Sequence, residues 1–152
     1  MIADMLKIKN IRIVEEADDW KHAIHLSLEP LLEDGFITEN YEKAILESTK
    51  EYGPYYVLAE DFALIHGRPE DGVLEKQLAI TLLRKPIVFA EDSFPVRVLI
   101  ALAASDSNSH LDTMKVLSSI FMDENKVSEL VNADDPQQIY DLLITSEECE
   151  KI

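Results

Sequence analysis

The run Val96-Arg97-Val98-Leu99-Ile100-Ala101-Leu102-Ala103-Ala104 is apolar at every position but Arg97. A strand wetted on one side alternates polar with apolar residues, so a continuous run of this length needs cover on both faces, as at the middle of an α/β sheet. It therefore predicts the centre of the sheet. Around it, Gln77 to Arg84 turns Leu78, Ile80 and Leu82 to one side, and Ile11-Arg12-Ile13-Val14 alternates. Tyr55 to Leu58 and Phe62 to Ile65 read as two short strands about Ala59-Glu60-Asp61.

Helical patterns lie between these strands. Trp20, Ile24, Leu28 and Leu31 form a stripe behind a cap at Asp18 or Asp19. Tyr41, Ala44, Ile45, Ser48 and Tyr52 repeat behind Thr38 as N-cap, and Gly53-Pro54 stops them. After the polar loop Ser105 to Ser109, with Ser109 as cap, a helix opens at His110 and carries Leu111, Met114, Leu117, Ile120 and Phe121 inward. Two short helices follow, the last started by Asp135, Pro136 and Gln138, and an acidic tail covers about 145–152. Strands interspersed with helices predict one layered α/β domain over residues 1–152.

Thirty acidic against fourteen basic residues give a formal charge of -16, which repels nucleic-acid phosphates and anionic membranes. A protein with a basic face would be attracted, although acidity serves solubility equally well. Cys149 is the only cysteine, so neither an internal disulfide nor a cysteine metal cluster can form. Met1 to Lys9 lacks a signal-peptide core, and no apolar run approaches the roughly 18 to 20 residues that span a bilayer. These features predict a soluble, cytoplasmic protein.

Chemistry is concentrated where Phe62-Ala63-Leu64-Ile65 stops at His66-Gly67-Arg68-Pro69. A histidine ending an apolar strand emerges at the sheet rim; Gly67 leaves room for another molecule's atoms, and Arg68 offers donors to an anionic oxygen group. The plain alternative is a strand end with a turn after it. His110 follows the other apolar strand in the same way, and ligands of open α/β sheets bind at that edge. The helix beginning at Ser109 or His110 would aim free N–H groups there, making an anion pocket with two imidazoles. Such an imidazole can act as base, metal ligand or nucleophile. Neither histidine has a third ligand at zinc spacing, and no Gly-x-Ser-x-Gly elbow is present. His22, His25 and Glu29 read either as a helical metal cluster or, more simply, as a solvated face with charge pairing. Tyr52, Tyr55 and Tyr56 suit a core or interface better than base stacking.

His66-Gly67-Arg68-Pro69-Glu70-Asp71-Gly72-Val73, preceded by Gly53-Pro54-Tyr55-Tyr56-Val57-Leu58-Ala59, resembles the active-site region of enzyme IIA components of the bacterial phosphoenolpyruvate-dependent sugar phosphotransferase system. The match is to the mannitol/fructose superfamily, and within it most closely to the ascorbate-specific branch. Ala103 to His110, with Met114, Leu117 and Phe121, resembles that family's second histidine segment. The likeness runs from about Trp20 to Leu143. It implies a mixed sheet flanked by helices on both faces. It also implies that His66 accepts a phosphoryl group from the phosphocarrier protein HPr and passes it to a cysteine of enzyme IIB, for a membrane enzyme IIC, with no cofactor and no metal. His110 is then the neighbour supporting the phosphorylated site. Arg68 as a phosphate contact is inferred from charge and position. Ile65 stands where relatives commonly have proline. With no Cys-rich N-terminal loop and no membrane span, enzymes IIB and IIC are expected as separate partners. A phosphorylation-dependent regulatory module of the same fold is the alternative, as is service to mannitol/fructose-type sugars; a hydrolase holding metal on His66 and His110 is more distant.

Overall fold

The structure is a computed structural model that describes residues 2–105 and 107–150, without the side chains of 2, 3, 107–110, 112 and 146–150. Its elements are α1 (Ile2–Met5), β1 (Leu6–Val14), α2 (Trp20–Glu33), α3 (Glu39–Tyr52), β2 (Val57–Ala59), β3 (Asp61–Ile65), β4 (Gln77–Val88), β5 (Pro95–Ala103), α4 (Ser107–Phe121), α5 (Glu124–Val131) and α6 (Pro136–Glu150). The sheet order β1-β4-β5-β3-β2 puts the apolar run at the centre, as its composition requires. The sheet is mixed: β1 and β4 pair parallel, as do β3 and β5, while β4–β5 and β2–β3 are antiparallel.

Alternation sorts side chains into two cores. Phe62, Leu64, Leu78, Ile80, Val98, Ile100 and Leu102 face the C-terminal helices, where Phe62 stacks on Phe121 with ring centroids 3.8 Å apart. Ala63, Ile65, Ala79, Leu83, Leu99 and Ala101 face α2 and α3. Both sheet faces are thus covered, which is why β4 and β5 contain so few polar residues. Arg97, the charged exception, makes paired 2.8 Å hydrogen bonds to Asp61 of neighbouring β3. Asp61 itself has a φ of 67°, a left-handed conformation that Asp tolerates better than most residues and that lets β2 turn directly into β3.

Several boundaries move. β1 begins at Leu6, ahead of its alternating part, and β4 continues to Val88 as an exposed hairpin arm. Tyr55 and Tyr56 form a turn before β2. In α3 the buried line is Tyr41, Ile45 and Thr49, and Tyr52 is 74% exposed, because the true stripe advances by four residues where the sequence pattern also admitted three. α4 starts at Ser107, so Ser109 lies within its first turn rather than at the cap; short polar residues fit there because those N–H groups have no intrahelical acceptor. The last helix is long, extending through Glu150, where a tail was expected. The side chain of Cys149 lies outside the described residues. Caps at Asp19, Asp123 and Asp135 accept from backbone N–H groups, and Gln138 reaches back to the Asp134 N–H.

The two histidines of α2 divide. His22 accepts from the Asp18 N–H at 2.9 Å, while His25 bridges Glu29 at 3.0 Å and Glu42 of α3 at 2.8 Å. Arg12 of β1 closes the chain by pairing with Glu29 at 3.0 Å and donating to the Leu26 carbonyl. This is a cross-link between β1, α2 and α3, stronger than a solvated face and not a shared metal site. The Glu42 hydrogen bond raises the His25 pKa above its ordinary 6.5, and the Arg12 hydrogen bond lowers that of Glu29 below 4.5. The His25 contribution is therefore complete below pH 6.5 and lost as pH rises through its raised pKa, whereas that of Glu29 is lost as pH falls through its lowered one. Urea melts should show His25→Gln destabilised most between about pH 4.5 and 6.5. The gap should shrink at higher pH; a gap that widened instead would contradict the assignment.

Candidate functional site

Parallel pairing puts Ile65 beside Ala101, so the chains leaving β3 and β5 emerge at one sheet edge. His66 follows the first and α4 the second. This brings together on the backbone the two segments that sequence reasoning singled out. The side chain of His110, in the first turn of α4, lies outside the described residues.

The imidazole of His66 is oriented by its own strand. Nδ1 lies 2.6 Å from the Leu64 carbonyl oxygen, and since a carbonyl only accepts, Nδ1 is the donor, which in the neutral imidazole leaves the lone pair on Nε2. Tyr55 stands edge-on to the ring, with centroids 5.5 Å apart and planes at 88°. Its hydroxyl donates to the His66 carbonyl at 2.7 Å. Burial, and then Asp71, raises the Tyr55 pKa.

Gly67 donates its N–H to the Tyr41 hydroxyl at 2.9 Å, and that hydroxyl donates to the Leu102 carbonyl of β5 at 2.8 Å. Burial pushes the Tyr41 pKa up to about 12, so the proton for the second bond is retained at neutral pH. A Cβ at Gly67 would stand 3.1 Å from Ile45 Cγ1 and 3.4 Å from Tyr41 Cε1. The space expected there for an incoming molecule is thus occupied on that side by this chain's own α3.

Arg68 is well exposed and turned back on its own loop, 3.3 Å from both carboxylate oxygens of Asp71 and 3.7 Å from Glu70. Pro69–Asp71 makes one 3-10 turn, ended by Gly72 at a φ of 147°. A Cβ there would lie 2.2 Å from Thr38 Oγ1, so only glycine lets the loop close onto α3. Closure is secured by Thr38 N–H to the Gly72 carbonyl, Asn40 to the Asp71 carbonyl, and the bridge between Ile37 and Val73.

Beside His66 lies an open hollow of about 930 Å³, lined by Ala44, Ser48, Tyr52 and Tyr55 and rimmed by Glu47, Glu51 and Asp71. Ala44, Ser48 and Tyr52 form its α3 wall, having been expected on the buried stripe. Tyr41 and Tyr55 are the site residues that sequence reasoning missed. Tyr41 was legible only as core, and Tyr55 only as one of three clustered tyrosines. A histidine ring oriented through Nδ1, in a wide hollow whose rim is acidic, suits group transfer with another macromolecule better than enclosure of a small substrate.

Residues 4–146 match the family described as phosphoenolpyruvate-dependent sugar phosphotransferase system, EIIA 2. The chain is 35% identical over 142 residues to the mannitol-specific cryptic phosphotransferase enzyme IIA component of Escherichia coli strain K12, covering 93% of this chain and 97% of that one. It is 36% identical over 137 residues to the ascorbate-specific PTS system EIIA component of Shigella boydii serotype 4, covering 89% of each. The solution structure of the E. coli mannitol-specific cryptic enzyme IIA superposes with a TM-score of 0.86 at 35% identity, over 93% of this chain and 97% of that one.

Removing one hydroxyl tests the junction between the two strand ends. Tyr41→Phe strands the Gly67 N–H and the Leu102 carbonyl, which should cost about 1–3 kcal/mol. Melting should fall by roughly 2–4 °C per kcal/mol for a domain of this size. An unchanged melting temperature would show that the hydroxyl bonds little.

Proposed function

The chain belongs to the EIIA 2 family of the phosphoenolpyruvate-dependent sugar phosphotransferase system, and from that membership we propose that it is a cytoplasmic phosphocarrier. His66 accepts a phosphoryl group from phospho-HPr and passes it to a cysteine of enzyme IIB, feeding uptake of L-ascorbate through a membrane enzyme IIC. The observation that carries this reading is the His66 tautomer: with Nδ1–H donated to Leu64, Nε2 has the lone pair needed for attack.

In the first step Nε2 attacks phosphorus in line, the N–P bond to the donor imidazole breaks, and the donor keeps that electron pair. The His66 ring gains positive character, which the Leu64 carbonyl stabilises through Nδ1–H. In the second step a cysteine thiolate attacks phosphorus, and the bonding pair returns to Nε2. The transferring oxygens need fixed donors. First-turn N–H groups of α4 are suited to this, with His110 as the supporting neighbour. Arg68 is the third candidate. Its 3.3 Å contacts to Asp71 are long for charge-assisted bonds, which run near 2.7–2.9 Å, so exchange of Asp71 for a phosphate oxygen is inexpensive. The acidic rim and net charge of -16 suit partners with basic faces.

The similar identity to a mannitol-type and an ascorbate-type relative makes mannitol/fructose-type sugars the second reading for the substrate. Phosphate moving from this protein to a purified ascorbate-type enzyme IIB, and not to a mannitol-type one, would decide for ascorbate.

Incubation with phosphoenolpyruvate, enzyme I and HPr should place one acid-labile phosphoryl group on the chain, and His66→Ala should abolish it. Full labelling of that variant would sink the site. Arg68→Ala and His110→Ala should each slow transfer about 10-fold or more, with unchanged melting for the exposed Arg68. Unchanged rates would remove either residue from the mechanism.

A further inference from the structure

Tyr55 Oη and Tyr41 Oη bind opposite ends of a single peptide group. The first donates to the carbonyl oxygen of His66 at 2.7 Å, and the second accepts the N–H of Gly67 at 2.9 Å. Carbonyl 66 and N–H 67 share one rigid plane, so gripping both ends fixes its rotation and thereby ψ of His66. With Ile65 held in β3, fixing the position of that plane also fixes φ of His66, and φ sets the direction of the Cα–Cβ bond from which the side-chain torsions aim the imidazole.

We propose that Tyr55 is a positioning residue for phosphoryl transfer, acting through this peptide plane and through its edge-on contact with the imidazole. The inference rests on the phosphocarrier reading for its rate consequence but not for its geometry. Tyr41 supplies the inner half of the clamp from the core, where it is 1% exposed and also ties down Leu102. Tyr55 supplies the outer half from the wall of the hollow, where it is 39% exposed. The two differ in what their loss does. Tyr41 is structural and positioning at once, whereas the Tyr55 hydroxyl can be removed without opening the core.

The physical need for such a clamp follows from the sequence around His66. The residue before it is Ile65, held in β3, but the residue after it is glycine, which restrains the backbone least of all. The chain then turns sharply into Pro69–Asp71. Without an external hold, the 66–67 peptide could shift, change φ of His66 and so carry the ring away from the Leu64 carbonyl. Transfer between two nitrogens or between nitrogen and sulfur depends on in-line placement, and displacement on the order of 1 Å can cost about 100-fold.

Tyr55→Phe keeps the ring and deletes only the hydroxyl. In the unphosphorylated protein, ¹⁵N NMR of the imidazole should show the Nδ1–H form dominant in wild type and reduced in Tyr55→Phe, with melting nearly unchanged. In the reconstituted assay, kcat for transfer should fall roughly 10-fold or more for both HPr and enzyme IIB, with KM for each partner unchanged. Tyr55→Leu, which also removes the ring, should lower kcat further. A loss carried by KM alone would make Tyr55 a docking residue and overturn the proposal, as would an unchanged kcat with an unchanged tautomer ratio. If wild type took no phosphate, the phosphocarrier reading would fail, while the tautomer measurement would still decide whether Tyr55 positions His66.

Discussion

Because β3 and β5 run parallel, with Ile65 beside Ala101, both leave the sheet in the same direction, and His66 rises at the edge from which α4 starts. The pairing is held in register by burial on both faces. Leu64 belongs to the core under the C-terminal helices and Ile65 to the core under α2 and α3, so a slip by one residue would exchange every side chain between two differently shaped cores. Tyr41 then adds a polar tie across the same junction, from Leu102 at the end of β5 to Gly67 after β3. The position of the histidine is thus a consequence of core packing, transmitted through a few backbone hydrogen bonds.

The strong negative charge is compatible with this architecture because the best-placed cations are used at joints. Arg97 joins β5 to β3 through Asp61, and Arg12 with His25 joins β1, α2 and α3 through Glu29 and Glu42. Arg68 is different in being exposed and held, among the described residues, by ion pairs to neighbours in its own loop. An isolated surface pair of that kind is weak and easily exchanged. Arg68 can therefore change partners without disturbing the fold.

Much of this is legible in the sequence. The central strand was readable because continuous apolarity has few explanations, and the caps at Asp19 and Asp135 because short acidic side chains before a helical stripe have a defined acceptor role. The quoted segment around His66 carried the family. The role of Gly67 was not legible: a glycine after a histidine reads as room for a partner, whereas Ile45 and Tyr41 fill that side, and nothing local to Gly67 announces α3. The α3 stripe was misread at Ala44 and Ser48 because helical spacing admits both three and four residues, and only the neighbouring layer decides which line is covered.

Alone, the sequence determined that this chain forms a layered α/β domain around one doubly covered strand, that a histidine ends a neighbouring strand, and that phosphate-backbone partners are disfavoured by charge. These follow from periodicity, composition and short-range order, which are properties of neighbours along the chain. The tertiary structure decided which ring nitrogen of His66 carries the proton, that two tyrosines from the start of α3 and the turn after it grip one peptide plane, and that Arg68 faces Asp71. Each of those depends on groups brought together through space by sheet order and helix packing, at distances of about 3 Å that no spacing along the chain encodes.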